Sequence, residues 1–213
     1  MIKLDPSRTA VVAIDMHRGH LDPAVATLPI SPDRCPIVIA GAKSLFDQLR
    51  PMGIPIVHVI VTYRDASELL SNPFWKAIHD DPTKKRSGVS RHNIVGSPGC
   101  EIIPELYEPK RDIVVDTKKR YSPFLHTELE FVLRSRGIDT IILCGINTTS
   151  CVLCAGFEAT NLDFRVVVAE EACDTMDGRQ AHDFAINLMR NIIGWCGKNN
   201  EIVSAVAVSN AAE

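Results

Sequence analysis

Three side chains in this sequence are of types that together can open a carbonyl compound: the carboxyl of Asp15, the ammonium of Lys118 and the thiol of Cys151. A thiolate can attack a carbonyl carbon, a carboxylate can take and return its proton, and an ammonium can hold the charge that develops between them. Each has a plainer reading. Strands commonly end in Asp, Lys118-Lys119-Arg120 could be a solvated basic turn, and a cysteine at a helix start can simply pack as a small buried residue. The weight lies in their combination. Asp15 follows the apolar run Ala10-Val11-Val12-Ala13-Ile14, where partial desolvation raises the basicity of a carboxylate. Cys151 follows Cys144-Gly145-Ile146-Asn147 and the hydroxyl run Thr148-Thr149-Ser150, which can cap a helix. It should therefore sit in a first helical turn, where backbone amides and the helix dipole favour the thiolate and could hold an oxyanion.

These residues need elements to position them. Apolar, β-branched segments at 9–15, 54–62, 113–116, 140–144, 164–169 and 202–208 read as strands, with helical periodicity at 36–49, 127–136, 150–160 and 180–192. Strands alternating with helices predict a three-layer α/β fold on a parallel sheet, and near-continuous apolar strands such as Ile141-Ile142-Leu143 fit a sheet covered on both faces. Gly137 terminates the helix that carries Leu129, Val132 and Leu133. In such sheets ligands bind beyond the carboxyl ends of the strands, near the reversal of strand order, and there Asp15, Lys118 and Cys151 all fall. Residues 63–110 lack clear periodicity and hold Asn72-Pro73, Asp81-Pro82 and Ser97-Pro98-Gly99. An excursion of that length in a single domain spanning 1–213 predicts a cover over the site or a subunit contact.

Composition narrows the function classes. With 23 basic against 26 acidic residues and a formal charge of −3, the chain carries no basic excess for nucleic acid or an anionic membrane. Its apolar stretches are too short to span a bilayer, and the opening Met1-Ile2-Lys3-Leu4-Asp5-Pro6 lacks the pattern of a signal peptide, so a cytoplasmic protein is expected. Seven scattered cysteines predict no disulfide framework. The Cys151-Val152-Leu153-Cys154 spacing admits a thiol redox protein as an alternative, but no second pair of ligands stands in register for zinc. A catalytically idle binding module of the same fold is a further alternative.

The motifs also carry a resemblance. Ala10-Val11-Val12-Ala13-Ile14-Asp15-Met16, Asp116-Thr117-Lys118-Lys119-Arg120-Tyr121-Ser122-Pro123-Phe124 and Gly145-Ile146-Asn147-Thr148-Thr149-Ser150-Cys151-Val152 are similar, in order and spacing, to the three motifs of the isochorismatase-like cysteine hydrolases. That superfamily includes nicotinamidases, N-carbamoylsarcosine amidohydrolase, and biuret and ureidoacrylate hydrolases. The resemblance implies a six-stranded parallel sheet ordered 3-2-1-4-5-6. It makes Cys151 the nucleophile, Asp15 its proton acceptor and Lys118, rather than Lys119, the cation between them. It also implies a cis peptide between Ile146 and Asn147, with the Asn147 and Cys151 amides as oxyanion hole. The activity implied is hydrolysis of a small amide, ureido or carbamoyl compound through a thioester, without a cofactor, in a homo-oligomer, dimer or tetramer.

The departures matter as well. Cysteine at 151 argues against cleavage of isochorismate itself, whose hydrolases lack the thiol. Nicotinamidases carry an Asp and two His for a metal, in a D-x-H arrangement after the second strand, where this chain reads Thr62-Tyr63-Arg64-Asp65-Ala66-Ser67. No metal is expected, and a nicotinamidase-type amidase is the lesser alternative. His58, inside a strand, reads as a core histidine. His20 stands where the family usually has an aromatic residue and is a candidate for the pocket wall, with Arg64, Phe74, Trp75 and Tyr121. An arginine there would favour a substrate carboxylate.

Overall fold

A computed structural model describes residues 2–210. Six parallel strands form one sheet in the order β3-β2-β1-β4-β5-β6: β1 Thr9–Ile14, β2 Ile56–Val61, β3 Ile113–Lys118, β4 Thr140–Ile146, β5 Arg165–Asp174 and β6 Trp195–Gly197. The helices are α1 Arg18–Leu21, α2 Cys35–Leu49, α3 Ala66–Leu70, α4 Pro73–Asp80, α5 Leu129–Arg134, α6 Leu153–Asn161, α7 Arg179–Ile192 and α8 Asn199–Asn210. Strand order across the sheet reverses between β1 and β4, so right-handed crossovers put α2 on one face and α6 and α7 on the other. α2 packs with α8, and α6 packs with α7.

The central strands are apolar throughout because neither face meets water: every residue of β1 and of β4 is buried. Their side chains merge with Leu45, Phe46 and Leu49 of α2 and with Leu129 and Leu133 of α5 in one core. Strand β3 lies at the edge, and only Val115 and Lys118 in it are buried. No helix among the described residues is long and apolar enough to cross a membrane.

The sixth strand is not where the β-branched residues at 202–208 pointed. That stretch belongs to α8, with Ile202 and Val206 fully buried one helical turn apart. The edge strand is instead the short Trp195–Gly197, entered through Gly194, where a Cβ would stand 2.2 Å from the Val166 carbonyl oxygen. A run of alternating small and branched apolar residues fits either period, and packing against α2 selects the helix.

Between β2 and β3 the chain runs through α3, α4 and several 3₁₀ turns. A second small cluster of Leu28, Val61, Tyr63, Leu69 and Val89 anchors this segment to the rim of the sheet, where Trp75 packs against it. His58 of β2 is a core residue, with Nε2 3.3 Å from Asp112 Oδ2, and the same carboxylate accepts two bonds from Arg50.

Candidate active site

At the carboxyl end of β1 the chain turns sharply, with Asp15 in the left-handed region at φ +51°. Its backbone N–H still donates to Val59, while its side chain turns back under β2. Oδ1 accepts from the Val61 N–H at 2.8 Å and Oδ2 accepts from Lys118 Nζ at 2.6 Å. Lys118 ends the edge strand β3 and is paired in register with Val61, so its four-carbon chain spans the width of β2 to reach the acid. The same ammonium lies 3.5 Å from Cys151 Sγ. Asp15 and Lys118 have no exposed surface, and Cys151 is buried.

The thiol is held by an unusual exit from β4. Gly145 sits at φ +123°, and a Cβ there would lie 1.9 Å from the Ile14 carbonyl oxygen, so only glycine lets β1 and β4 approach so closely where they part. The Ile146–Asn147 peptide is cis. Residues Thr148–Val152 then form a π-helical turn before α6, closed by Ser150 and Val152 N–H bonds to the Asn147 carbonyl. Neighbouring hydroxyls fix the turn: Thr148 bonds His182 Nδ1 at 2.9 Å and Thr149 donates to Asp177 at 2.6 Å. The Asn147 side-chain oxygen accepts from the Met176 N–H.

The expected gain in thiolate at a helix start is outweighed. Burial pushes the Cys151 thiol up to about 11, with Lys118 pulling it down and the Asp15 carboxylate pushing it up. At rest it is a thiol beside a carboxylate. Burial alone would lower Lys118, but the attraction of Asp15 outweighs this and holds it above the ordinary lysine range, fully charged. Cys154 is half-buried beside Glu158, also pushed up to about 11 by burial, and does not line the cavity that Cys151 faces.

That cavity, of about 170 Å³, brings Asp15, Lys118, Cys151 and Asn147 together with His20, Phe74, Trp75 and Tyr121. Arg64 is elsewhere. Its side chain is 83% exposed and ion-paired with Glu68, whose carboxylate also takes the Arg64 N–H at the start of α3. The arginines that do line the cavity are Arg86 and Arg120, which spacing alone did not single out. Arg86 bonds both oxygens of Asp177 at 2.8 Å. Arg120 stacks 4.5 Å from the Trp75 ring centroid and donates to the Leu69 and Glu68 carbonyls. Tyr63 was also missed, and its buried hydroxyl has no hydrogen-bond partner among the described residues, with the Arg120 guanidinium over its ring. A larger open groove of about 990 Å³, between α2, α7 and the start of α8, contains none of the three central residues.

Among the described residues, His17, His20 and His92 form the group that could gather a metal ion, one nitrogen of each within 4.8 Å of the others. Tetrahedral zinc asks for nitrogens about 3.4 Å apart, given Zn–N bonds of 2.0–2.1 Å. Here the rings of His17 and His20 are stacked, at 4.8 Å and 20°. His17 Nε2 also accepts from Asn93 Nδ2, which donates to the Val61 carbonyl as well. The three rings thus pack as a cluster of neutral imidazoles, His92 tilted against the other two, all pushed below the ordinary histidine range by burial.

The sequence matches the isochorismatase domain family over residues 9–201. It is 32% identical to the isochorismatase family protein YecD of Escherichia coli O157:H7, over 97% of this chain and all of that one. It is 27% identical to the ureidoacrylate amidohydrolase RutB of Agrobacterium fabrum (strain C58), over 97% and 93% of the two chains. In three dimensions it is similar to a cysteine hydrolase from Pseudomonas syringae pv. phaseolicola 1448A, with TM-score 0.81, 20% identity and 98% and 97% coverage.

Proposed function

This chain belongs to the isochorismatase domain family, and from that premise we propose that it is a cysteine amidohydrolase, cleaving a C–N bond of a small amide, ureide or carbamoyl compound. The observation that carries the reading is the contact chain from Asp15 through Lys118 to Cys151, at 2.6 and 3.5 Å, closed off from bulk water on one wall of a cavity. A thiol with its pKa near 11 is a poor nucleophile by itself, and the adjacent carboxylate supplies what it lacks. Asp15 accepts the proton as sulfur attacks the carbonyl carbon, and the Asn147 and Cys151 N–H groups receive the developing oxyanion. Lys118 holds the carboxylate in place and steadies the sulfur as its proton leaves. Asp15 then passes the proton to the departing nitrogen, releasing ammonia or an amine and leaving a thioester on Cys151. Water then attacks the thioester, giving its proton to Asp15, and the acid product leaves as the proton returns to the Cys151 sulfur. The chemistry runs on these side chains alone.

The test is an ammonia-release screen over nicotinamide, biuret, ureido acids, maleamate and simple primary amides, with Cys151→Ala as the blank. Ammonia from the wild type alone is expected for at least one of them. Equal release from the blank would remove Cys151 from the reaction.

A further inference from the structure

Of the cations that line the cavity, Lys118 and Arg86 are answered. Lys118 is paired with Asp15, the one acid on that wall, and Arg86 holds both oxygens of Asp177. Arg120 has no carboxylate partner among the described residues. The nearby Glu68 carboxylate is taken by Arg64, with Lys119 at 3.7 Å, so Arg120 reaches only the Leu69 and Glu68 carbonyls and the Ser71 hydroxyl. Those bonds use one Nη1–H and both Nη2–H groups, and leave Nε–H and the second Nη1–H without an acceptor. The guanidinium packs against two rings, 4.5 Å from the Trp75 centroid and 5.6 Å from that of Tyr63.

Tyr63 has the matching need. The residue is 1% exposed, its hydroxyl proton meets no acceptor among the described residues, and the adjacent guanidinium can only donate. Burial raises the phenol above its ordinary range, so the proton stays on oxygen, and the hydroxyl feels Lys118 and Asp15 as well as Arg120. His20 and His92, on the same wall, are held neutral by burial and supply no negative charge. An unanswered cation and a buried donor side by side lack one thing, an anionic acceptor.

Resting on the amidohydrolase reading above, we infer that Arg120 and Tyr63 form an anion subsite, which receives a carboxylate of the substrate while Cys151 meets its amide or ureido carbonyl. The substrates are then small amide or ureido acids. Neutral amides are disfavoured because they leave the Arg120 charge and the Tyr63 proton unanswered in a cavity of about 170 Å³. A monoanion balances the single unpaired charge, whereas a phosphate dianion would leave a negative charge in excess.

The experiment uses two matched pairs, succinamate with butyramide and β-ureidopropionate with propylurea, in which the neutral member has a methyl in place of the carboxylate. Calorimetry with Cys151→Ala reads binding, and ammonia release by the wild type reads turnover. The acid of at least one pair should bind about 100-fold more tightly than its neutral partner. In the Cys151→Ala background, Arg120→Gln should remove most of that preference. Tyr63→Phe, which takes away one oxygen and no charge, should reduce it about 10-fold, as the loss of one hydrogen bond to a charged group does. Because Arg120 also ties down the Leu69 and Glu68 carbonyls, Tyr63→Phe keeps the test clear of any loosening of the cover. Equal binding of acid and neutral members, or no binding of either acid, overturns the subsite. So does a preference untouched by both substitutions, or one lost in Arg86→Gln instead. Preferential binding of the acid without ammonia from the wild type supports the subsite and overturns the amidohydrolase reading.

Discussion

The sheet rim and the segment that covers it are built on opposite principles. On the rim, Asp15, Lys118 and Cys151 are buried at the ends of β1 and β3 and in the turn after β4, with the charges of Asp15 and Lys118 paired and the Cys151 thiol 3.5 Å from the ammonium. The cover has little core of its own. Helix α4 buries no residue, Phe74 is 67% exposed, and the segment is tied down by side-chain contacts at its edges. These are the Asn72 cap on α4, Trp75 Nε1 donating to the Tyr121 hydroxyl at 3.1 Å, Arg120 against Trp75, and Arg86 on Asp177. A dry rim of paired charges suits chemistry, and a cover of edge contacts suits admission and fit.

Substitutions on the two sides should therefore fail differently. Cys151→Ala should fold and lose about 10⁴-fold or more in turnover of whichever amide the screen identifies. Lys118→Met should cost stability, about 3–5 kcal/mol by thermal or urea unfolding, because the Asp15 charge is left buried and unanswered. Asp15→Asn together with Lys118→Met should recover much of that loss, and no recovery would mean that the pair is not coupled. Alkylation of Cys151 by iodoacetamide should rise about tenfold per pH unit from pH 7 towards the pKa near 11, because the reactive thiolate is the minor form below it. A rate already level at pH 7 would contradict the burial argument.

On the cover, Arg86→Gln or Asp177→Asn should speed tryptic cleavage near Lys84 and Lys85 severalfold while leaving the unfolding midpoint within about 1 kcal/mol of its wild-type value, as partly exposed ion pairs usually do. Unchanged cleavage would mean that this pair does not hold the cover. Smallest of all, Arg64→Ala should leave catalytic constants unchanged, since its guanidinium faces solvent. A rise in KM for a carboxylate-bearing substrate would reopen its place in the pocket.

Much of the fold was legible because burial on two faces writes itself into the chain. The runs at 9–15 and 140–144 became β1 and β4, and the helix stop at Gly137 is a left-handed residue at φ +71°. Residues 202–208 were not legible, because Ile202 and Val206 satisfy helical spacing as well as β propensity and only the neighbour decides. Among the cavity residues, Asp15 and Cys151 stood out by type and by place after strands, while Lys118 was told from Lys119 only by the resemblance of its motif. Arg86, Tyr63 and His92 did not, because they lie in a segment without periodicity whose path is set by where it packs. His20 was found through its place in the first motif and His92 was not found, and nothing in their spacing of seventy-two positions announces ring contact at 4.7 Å.

By itself, then, the sequence determined which segments would be strands at the centre of the sheet and which side chains could carry a carbonyl hydrolysis, since both follow from local composition and order. Only the tertiary structure decided the protonation of Cys151, the route of Lys118 across β2 and the exclusion of Arg64. Those depend on what is packed within a few ångströms from distant parts of the chain, and on how much water that packing removes.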